Sequence, residues 1–425
     1  MIDAGENRPF LLCMEITESN GYSSPMNGSV FIKRVVLKNY KSIATCSVTL
    51  GPLVFLVGQN GSGKSNFLDA LRLVSESLNT SLDHALRERG GINEVRRRSS
   101  GHPTHFGIRL EFKLADGTDG VYAFRVGAKP KGGFEVQKEE CRIFALPEKY
   151  YVVEGGKVQE SNPTVLPAAS ADRLFLVIAS GLPEFRPLYD ALTRMGFYNL
   201  NPDEIRDLQP SDAGEVLLRD GRNLASVLRL QDPEATAQVV ELLSKVVPGV
   251  VGVAACHVGK KETLEFRQRV GENDAPWRFL AENMSDGTLR ALGVLTALFQ
   301  CSNGGPLKKV PLVGIEEPEV ALHPGAAGVL RDALKAASRH TQVLVTSHSP
   351  DLLDDKSISD ENLLAVSNQN GVTLIGPVNA AGRSAIQERL FTAGELLRLS
   401  QLVPDLEAIG VTPESQPDLF GKDLP

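Results

Sequence analysis

The octapeptide from Gly58 to Ser65, Gly-Gln-Asn-Gly-Ser-Gly-Lys-Ser, constrains the fold of this chain more than any other feature. It matches the pattern G-x-x-x-x-G-K-S. It lies between an apolar run, Leu53–Val57, and a segment whose apolar residues recur every three or four positions. The sequence therefore predicts a buried strand, a glycine loop and a helix in that order, which is the setting in which such a loop binds phosphate.

The residue types in this phosphate loop suit a nucleoside triphosphate. Glycines let backbone N–H groups turn toward a phosphate, and the helix that follows adds the positive end of its dipole. We expect Lys64 to reach the β- and γ-phosphates and the Ser65 hydroxyl to ligate Mg²⁺. The predicted nucleotide contacts are Gly58, Asn60, Gly61, Ser62, Gly63, Lys64, Ser65 and Asn66.

Composition argues against several classes of protein. The first residues lack a basic region followed by an apolar block, and no apolar run approaches the ~20 residues of a membrane span. We therefore expect a cytoplasmic protein without a membrane segment. The five cysteines form no C-x-x-C pair, which argues against a zinc site and a disulfide framework. A net charge of −7 means that any contact with DNA would require a local basic patch.

Hydrophobic patterning divides the 425 residues into five segments. Strands with glycine turns are predicted before residue 155, helices over about 172–246, and helices alternating with buried strands from 283 onward, which implies a parallel sheet. No heptad run is present, so we expect no long coiled coil. The predicted divisions are 1–28 (a poorly ordered extension), 29–155 (an N-terminal lobe with the phosphate loop and a β-rich subdomain), 156–250 (a helical insert), 251–400 (a C-terminal lobe) and 401–425 (a C-terminal tail, frayed over its last fifteen residues).

Two carboxylates, Glu316 and Glu317, end the apolar run 310–315. Nucleotide-binding sheets hold their ligands at the carboxyl ends of the strands. We therefore expect Glu316 to join the Mg²⁺ shell, through water, and Glu317 to orient or deprotonate the attacking water. The alternative is a pair of solvated acids at a strand end.

Another apolar run, 343–346, leads into Ser347-His348-Ser349. It follows the two acids by one helix-plus-strand unit, so we expect it to form the neighbouring strand. His348 could then contact the γ-phosphate and report its loss, whereas the alternative is a purely structural histidine.

Ser285 and Gly287 begin a segment with the apolar spacing of a helix. A serine before a helix is commonly just an N-cap. The functional alternative is that the serine hydroxyl and the glycine N–H bind an anion at the positive helix end.

The order of these motifs resembles the ABC-type ATPase heads of the RecF, SMC and OLD group, most closely the RecF-like predicted ATPases (AAA family ATPases) of bacteria and archaea. The resemblance covers roughly residues 30–400. It implies an α/β fold, an ABC-type P-loop ATPase head with a parallel core sheet, a β-rich N-terminal subdomain and a helical insert. The stretches that carry it begin at Lys38 (KNYKSI), Asp220 (DGRNLASVL), Met284 (MSDGTLR), Glu316 (EEPEVALHP) and Thr346 (TSHSPDLL).

The resemblance also implies ATP with Mg²⁺ as the ligand and a homodimer as the active form. Ser285 and Gly287 would contact the γ-phosphate of ATP bound to the partner subunit's Lys64, and hydrolysis would release the pair. This sequence departs from the family pattern at Glu316, where many relatives have Asp, and at Asp286, which replaces a glycine. No γ-phosphate-sensing glutamine can be placed, and no C-terminal Toprim nuclease is expected.

Three functions follow from this resemblance. The first is an ATP-driven switch that acts on nucleic acid or on a separate effector protein, as in bacterial phage-defence loci. The second is a RecF-type DNA repair ATPase that binds duplex DNA, and the third, least favoured, is a transporter-associated ATPase. DNA binding would need a basic surface, although a solvated charged face is the alternative. The candidates for that surface are Arg87, Arg89, Arg96, Arg97, Arg98, Lys129 and Lys131.

Overall fold

The computed structural model describes residues 31–99, 103–163, 166–271, 275–300, 310–409 and 418–420. In these residues a thirteen-stranded sheet runs through the molecule, and a four-stranded sheet lies beside it. The strands are β1 Ile32–Tyr40, β2 Ile43–Thr49, β3 Leu53–Val57, β4 His105–Lys113, β5 Asp119–Ala128, β6 Phe134–Ile143, β7 Lys149–Glu154, β8 Lys157–Asn162, β9 Gly196–Tyr198, β10 Gln209–Pro210, β11 Val250–Val258, β12 Lys261–Gln268, β13 Trp277–Leu280, β14 Leu312–Glu316, β15 Gln342–Ser347, β16 Leu363–Gln369 and β17 Val372–Gly376.

Helices cover the core of the sheet and supply most of the segment between β8 and β11. The helices are α1 Lys64–Asn79, α2 Leu82–Arg87, α3 Ile92–Val95, α4 Leu176–Ala179, α5 Arg186–Thr193, α6 Pro202–Arg206, α7 Leu224–Leu230, α8 Pro233–Val246, α9 Asp286–Phe299, α10 Ala327–Ala337, α11 Pro350–Leu353, α12 Ala380–Gln387, α13 Ala393–Arg398 and α14 Leu406–Ile409. None of the described helices combines the length and apolar character that crossing a membrane requires.

The five strands β16-β3-β15-β14-β9 form the parallel core of the large sheet. β3 and β15 are buried at every position, because helices cover both faces of a parallel sheet. Val57 lies opposite Ser347, and Thr346 lies opposite Glu316. The strand ends that precede the phosphate loop, His348 and Glu317 therefore share one edge of the sheet.

An antiparallel lobe extends the same sheet through β1, β2 and β4–β8. It joins the core through one parallel contact between β17 and β2. The predicted β-rich subdomain is thus present, but it continues the core sheet instead of forming a sheet of its own.

Two hydrophobic cores occupy opposite faces of the sheet. Alternate residues of β3 point to different cores, with Val54 and Leu56 in one and Phe55 and Val57 in the other. The first core also holds the apolar side of α1 and the inner face of the antiparallel lobe. The second holds α8, α9 and α10.

The segment 156–250, predicted as a helical insert, also contributes a strand to the main sheet. It contains helices α4–α8, but β9 pairs with β14 and becomes an edge strand of the main sheet. Its buried residues up to Phe197 pack into the first core, and those from Tyr198 onward pack into the second. The segment therefore does not have a core of its own, because pairing β9 with β14 ties it to the core sheet.

The predictions for the two ends of the chain have different outcomes. The expected extension 1–28 lies outside the described residues. In the predicted frayed tail, Leu419 is only 4% exposed and packs against Gly107 of the antiparallel lobe, while the Phe420 ring lies 5.0 Å from the Lys138 ammonium. That part of the tail is docked on the lobe, because an apolar and an aromatic side chain both find partners there.

Candidate active site

The phosphate loop leaves β3 and enters α1 as its sequence predicts. Gly61 and Gly63 have φ angles of 75° and 104°, in the left-handed region that favours glycine. Lys64 begins α1, and its Nζ donates to the carbonyl oxygens of Gly58 (2.9 Å) and Gln59 (3.1 Å). The lysine thus lies folded over the loop, and its ammonium contacts the backbone that would surround a phosphate.

A chain of hydrogen bonds that sequence patterns did not reveal supports the loop. Asn66 Nδ2 donates to Ser42 Oγ (2.7 Å), Ser42 pairs with Thr373 Oγ1 (2.7 Å), and Thr373 Oγ1 donates to the Ser62 carbonyl (2.9 Å). A Cβ on Gly63 would come within 2.1 Å of Thr373 Oγ1, so this approach requires glycine. The one sequence feature that pointed to Ser42 is its place as the last residue of the KNYKS stretch, which carries part of the family resemblance.

The predicted acids lie at the carboxyl end of β14. Glu316 Oε1 accepts a hydrogen bond from Arg219 Nη2 at 2.9 Å. Glu317 Oε1 lies 3.2 Å from His348 Nδ1, so His348 is on the neighbouring strand's end as expected. Glu317 has a φ of 45°, and its N–H donates to the Thr346 carbonyl at 3.0 Å.

Arg290 links the helix that follows Ser285 to the acidic strand end. Its Nη2 donates to the carbonyl oxygens of Glu316 (3.2 Å) and Glu317 (3.0 Å), and its Nη1 donates to the Leu200 carbonyl. Burial lowers the pKa of the Arg290 guanidinium, and the nearby acids, Glu319 first, oppose that shift. Any displacement of α9 would therefore act directly on the backbone that carries both predicted acids.

Lys64 is the cation of the loop, and its environment is partly desolvated. Burial lowers the pKa of the Lys64 ammonium, while the charges of Glu317 and Glu319 raise it. The two acids therefore lie close enough to the phosphate loop for their charge to be felt there. A triphosphate arriving at Lys64 would meet this acidic edge as well.

Ser285 caps α9 and is exposed to solvent. Its Oγ accepts from the Thr288 N–H at 3.3 Å, and the neighbouring Asp286 forms an ion pair with Arg206. That ion pair offsets the negative charge that Asp286 brings to this helix end. A Cβ on Gly287 would come within 2.5 Å of the Ala321 carbonyl oxygen, so this glycine also permits close packing within the chain.

Three buried polar atoms of this region have no hydrogen-bond partner among the described residues. They are Ser62 Oγ, Arg290 Nε and Glu319 Oε2. Buried polar atoms of this kind call for a ligand, an ion or water. The Ser62 hydroxyl, the exposed Ser65 hydroxyl and the Lys64 ammonium are donors of the kind that a triphosphate needs, whereas Glu319 Oε2 can only accept a hydrogen bond.

The residues of this site fit Mg²⁺ only if the nucleotide supplies further ligands to the ion. Within the described part of the chain, no group of three or more His, Cys, Asp or Glu side chains could hold a metal ion. Mg²⁺ commonly takes one or two protein ligands and completes its shell with water and substrate phosphates. Ser65 and Glu316 match that pattern.

Three of the seven residues predicted for a DNA-facing basic surface form ion pairs within the chain. The Arg89 side chain is 3% exposed and contacts Asp69 (2.9 Å) and Glu76 (2.6 Å). Arg87 pairs with Asp83 at 2.8 Å, and Arg98 pairs with Glu94. Arg89 is therefore a structural residue, and the remaining positive charge is diluted.

Comparison with protein families gives one match over most of the chain. A family model described as "AAA domain, putative AbiEii toxin, Type IV TA system" matches residues 53–354. That range contains the phosphate loop, Ser285, both strand-end acids and His348. Comparison with curated proteins gave no significant match.

Solved structures show the same fold at low sequence identity. The Smc head bound to the C-winged helix domain of ScpA has a TM-score of 0.54 and 15% identity, covering 83% of this chain and 99% of that chain. An Smc head with an extended coiled coil, bound to the C-terminal domain of ScpA and derived from Pyrococcus furiosus, has a TM-score of 0.50 and 14% identity, covering 85% and 99%. This likeness concerns the fold alone, and it confirms the predicted α/β fold class.

Proposed function

The chain belongs to this AAA-domain family, and from that premise we propose that it is an ATP-binding and ATP-hydrolysing switch. The switch dimerises around ATP and controls a separate effector protein or a nucleic-acid transaction, in bacterial antiviral defence. The observation that carries this proposal is the shared sheet edge, where the phosphate loop, Glu317 and His348 follow adjacent strands.

ATP binding begins with the phosphate loop. The Lys64 ammonium exchanges its two backbone carbonyl partners for the β- and γ-phosphate oxygens, and the loop N–H groups bind the same phosphates. Ser65 would hold Mg²⁺ directly and Glu316 would hold it through water, and the ion would neutralise phosphate charge when bound. Arg219 keeps the Glu316 carboxylate at the site's edge.

Hydrolysis depends on Glu317. The water oxygen forms a bond to the γ-phosphorus, the bond between the γ-phosphorus and the β,γ-bridging oxygen breaks, and Glu317 takes the water's proton. His348, 3.2 Å from Glu317, stands beside this step and contacts the γ-phosphate. The products are ADP and phosphate.

The proposed dimer uses the start of α9, where Ser285 and Gly287 lie and where Ser285 is exposed to solvent. These residues bind the γ-phosphate of ATP on the partner subunit, so that ATP joins two heads and its hydrolysis separates them. Solved Smc heads of the same fold are bound to domains of ScpA, which supports a separate protein as this chain's effector. The ion pairs of the basic stretch favour such a protein over direct DNA binding.

Steady-state ATP turnover by the purified protein, with and without linear duplex DNA, tests this function. We expect slow, Mg²⁺-dependent turnover that DNA changes less than about twofold. Strong stimulation by DNA would favour control of a nucleic-acid transaction, or the RecF-type repair function, over control of a protein effector. No turnover under any condition, with ATP bound, would contradict the hydrolysing switch.

A further inference from the structure

A third carboxylate, Glu319, lies beside the two predicted acids. Its Oε1 accepts hydrogen bonds from the Ser347 hydroxyl (2.7 Å) and from the His348 N–H (3.4 Å). Its Oε2 is buried and has no hydrogen-bond partner among the described residues. A buried carboxylate oxygen without a donor is costly, so a donor such as water or a ligand group is expected beside it.

The charge of Glu319 acts on the cations of the nucleotide site. It raises the pKa of Lys64 against the lowering effect of burial, together with Glu317. It is also the first of the acids that oppose the lowered pKa of Arg290. Glu319 therefore lies within electrostatic range of both the phosphate loop and α9.

Glu319 also fixes the turn that presents His348. Ser347 is the last residue of β15, and its Oγ accepts from the Ser349 N–H at 3.0 Å while it donates to Glu319. The His348 imidazole then reaches 3.2 Å from Glu317. One carboxylate oxygen thus holds the Ser347 hydroxyl and the His348 N–H, and Ser347 in turn holds the Ser349 N–H.

We propose that Glu319 is a positioning residue for ATP hydrolysis, which rests on the proposed function. Its Oε1 holds the Ser347–His348 turn so that His348 faces Glu317. Its Oε2 accepts a hydrogen bond from a donor that arrives with the nucleotide, either the attacking water or a water bound to Mg²⁺. A purely structural anchor would need only Oε1, and this difference can be tested.

Glu319→Gln separates the two oxygens. The amide oxygen can still accept from Ser347, but the amide nitrogen replaces Oε2 and can only donate. We expect kcat to fall roughly tenfold to a hundredfold, the size of effect that misplacing a reacting group produces. KM for ATP should change less than about twofold, and Tm should stay within about 2 °C. The matched control is Glu361→Gln, which alters an exposed glutamate and should leave all three values unchanged.

Ser347→Ala provides a second variant that removes the anchor and leaves both carboxylate oxygens. We expect a smaller loss of kcat, and a double variant with Glu319→Gln that is no worse than Glu319→Gln alone. Non-additivity of this kind is the mark of residues that act through one network.

Three results would overturn the proposal. Glu319→Gln could turn over ATP at the wild-type rate, it could lose ATP affinity in the same proportion as kcat, or its effect could add fully to that of Ser347→Ala. In each case the wild-type protein still hydrolyses ATP and the proposed function stands. A wild-type protein that binds ATP without turnover would overturn both.

Discussion

Glu317 combines an unfavourable backbone conformation with a central chemical position. A φ of 45° in a residue other than glycine costs on the order of 1–3 kcal/mol and persists only where the surroundings enforce it. Here the Thr346 carbonyl holds the Glu317 N–H, and Arg290 holds its carbonyl. The strain therefore lies at the residue proposed to activate water.

Glu317→Gln should bind ATP and hydrolyse it about 10²- to 10⁴-fold more slowly, because an amide cannot take the proton of the attacking water. Single-turnover hydrolysis of γ-labelled ATP measures this directly. Glu361→Gln is again the surface control. If Glu317→Gln hydrolyses ATP within about twofold of wild type, another residue is the base.

Lys64→Ala should abolish ATP binding, because it removes the ammonium that would exchange two backbone carbonyls for phosphate oxygens. Calorimetric titration with Mg·ATP gives the affinity. Lys356→Ala removes an exposed lysine elsewhere and should bind like wild type. Unchanged affinity in Lys64→Ala would refute the role of this loop.

Contiguous motifs predicted that Lys64, Glu317 and His348 belong to one site, and the structure brings these residues to the same edge of the sheet. The motifs did not reveal a role for Thr373, because its contact with the Ser62 carbonyl joins positions 311 apart in the chain. Sequence patterns did not predict the ion pair of Arg219 with Glu316 for the same reason. Such contacts depend on how the helices and strands pack together, and the packing cannot be read from a single sequence.

Among the secondary-structure elements, β17 contacts the phosphate loop and stabilises it through Thr373. Thr373 is fully buried, and its hydroxyl completes the chain that runs from Asn66 through Ser42 to Ser62. The loop's shape therefore depends on a strand that contributes nothing to its motif.

Thr373→Val keeps the side-chain shape and removes the hydroxyl, leaving the Ser62 carbonyl without its donor. We expect a loss of roughly 1–3 kcal/mol in the free energy of unfolding, the cost of a buried unsatisfied group, and weaker ATP binding. Urea unfolding and calorimetric titration measure the two effects. Thr80→Val, at an exposed helix end, is the control. Wild-type behaviour in both measurements would show that β17 does not support the loop.

The helix α9 contacts two parts of the site. Ser285 caps its exposed start, and Arg290 donates hydrogen bonds to the carbonyl oxygens of Glu316 and Glu317. Ser285→Arg should block the closing of two heads by bulk and charge, while Lys64 still binds ATP. Sedimentation with Mg·ATP should then show a monomer, and titration should show near-wild-type affinity. Dimerisation of Ser285→Arg with ATP would sink the proposal that this helix end acts on the partner subunit.

At the scale of the whole molecule, one buried carboxylate ties the antiparallel lobe to the segment that follows it. Glu139 of β6 accepts hydrogen bonds from the hydroxyls of Tyr122 (3.1 Å) and Tyr151 (2.8 Å) and from the N–H groups of Phe175 (2.5 Å) and Leu176 (2.9 Å). Burial raises the pKa of Glu139 to about 7, although these four donors oppose the shift.

This pKa makes stability depend on pH. The folded state holds the Glu139 proton more tightly than the unfolded chain, where the pKa has its ordinary value of 4.5. The group therefore favours folding below about pH 4.5 and loses that contribution as pH rises toward 7, by on the order of 3 kcal/mol. Urea midpoints at about pH 5 and pH 7.5 should show this fall in wild type. Glu139→Gln should be less stable at pH 5 and nearly free of the slope, and a variant that keeps the full slope would contradict this assignment.

The architecture divides into parts that the sequence could and could not predict. The apolar runs that became β3, β14 and β15 were readable, because a buried parallel strand is apolar along its whole length. β9 was not, because three residues in a helical segment carry too weak a pattern. Its pairing with β14 arises from the open edge of the sheet, which only the assembled fold presents.

The most direct test of an ATP-joined pair of heads is the solution mass of the slow variant Glu317→Gln. Sedimentation velocity would compare the protein alone, with Mg·ADP and with Mg·ATP. We predict a monomer in the first two conditions and a particle of twice the monomer mass with Mg·ATP. A monomer that binds ATP without changing its mass would contradict this prediction.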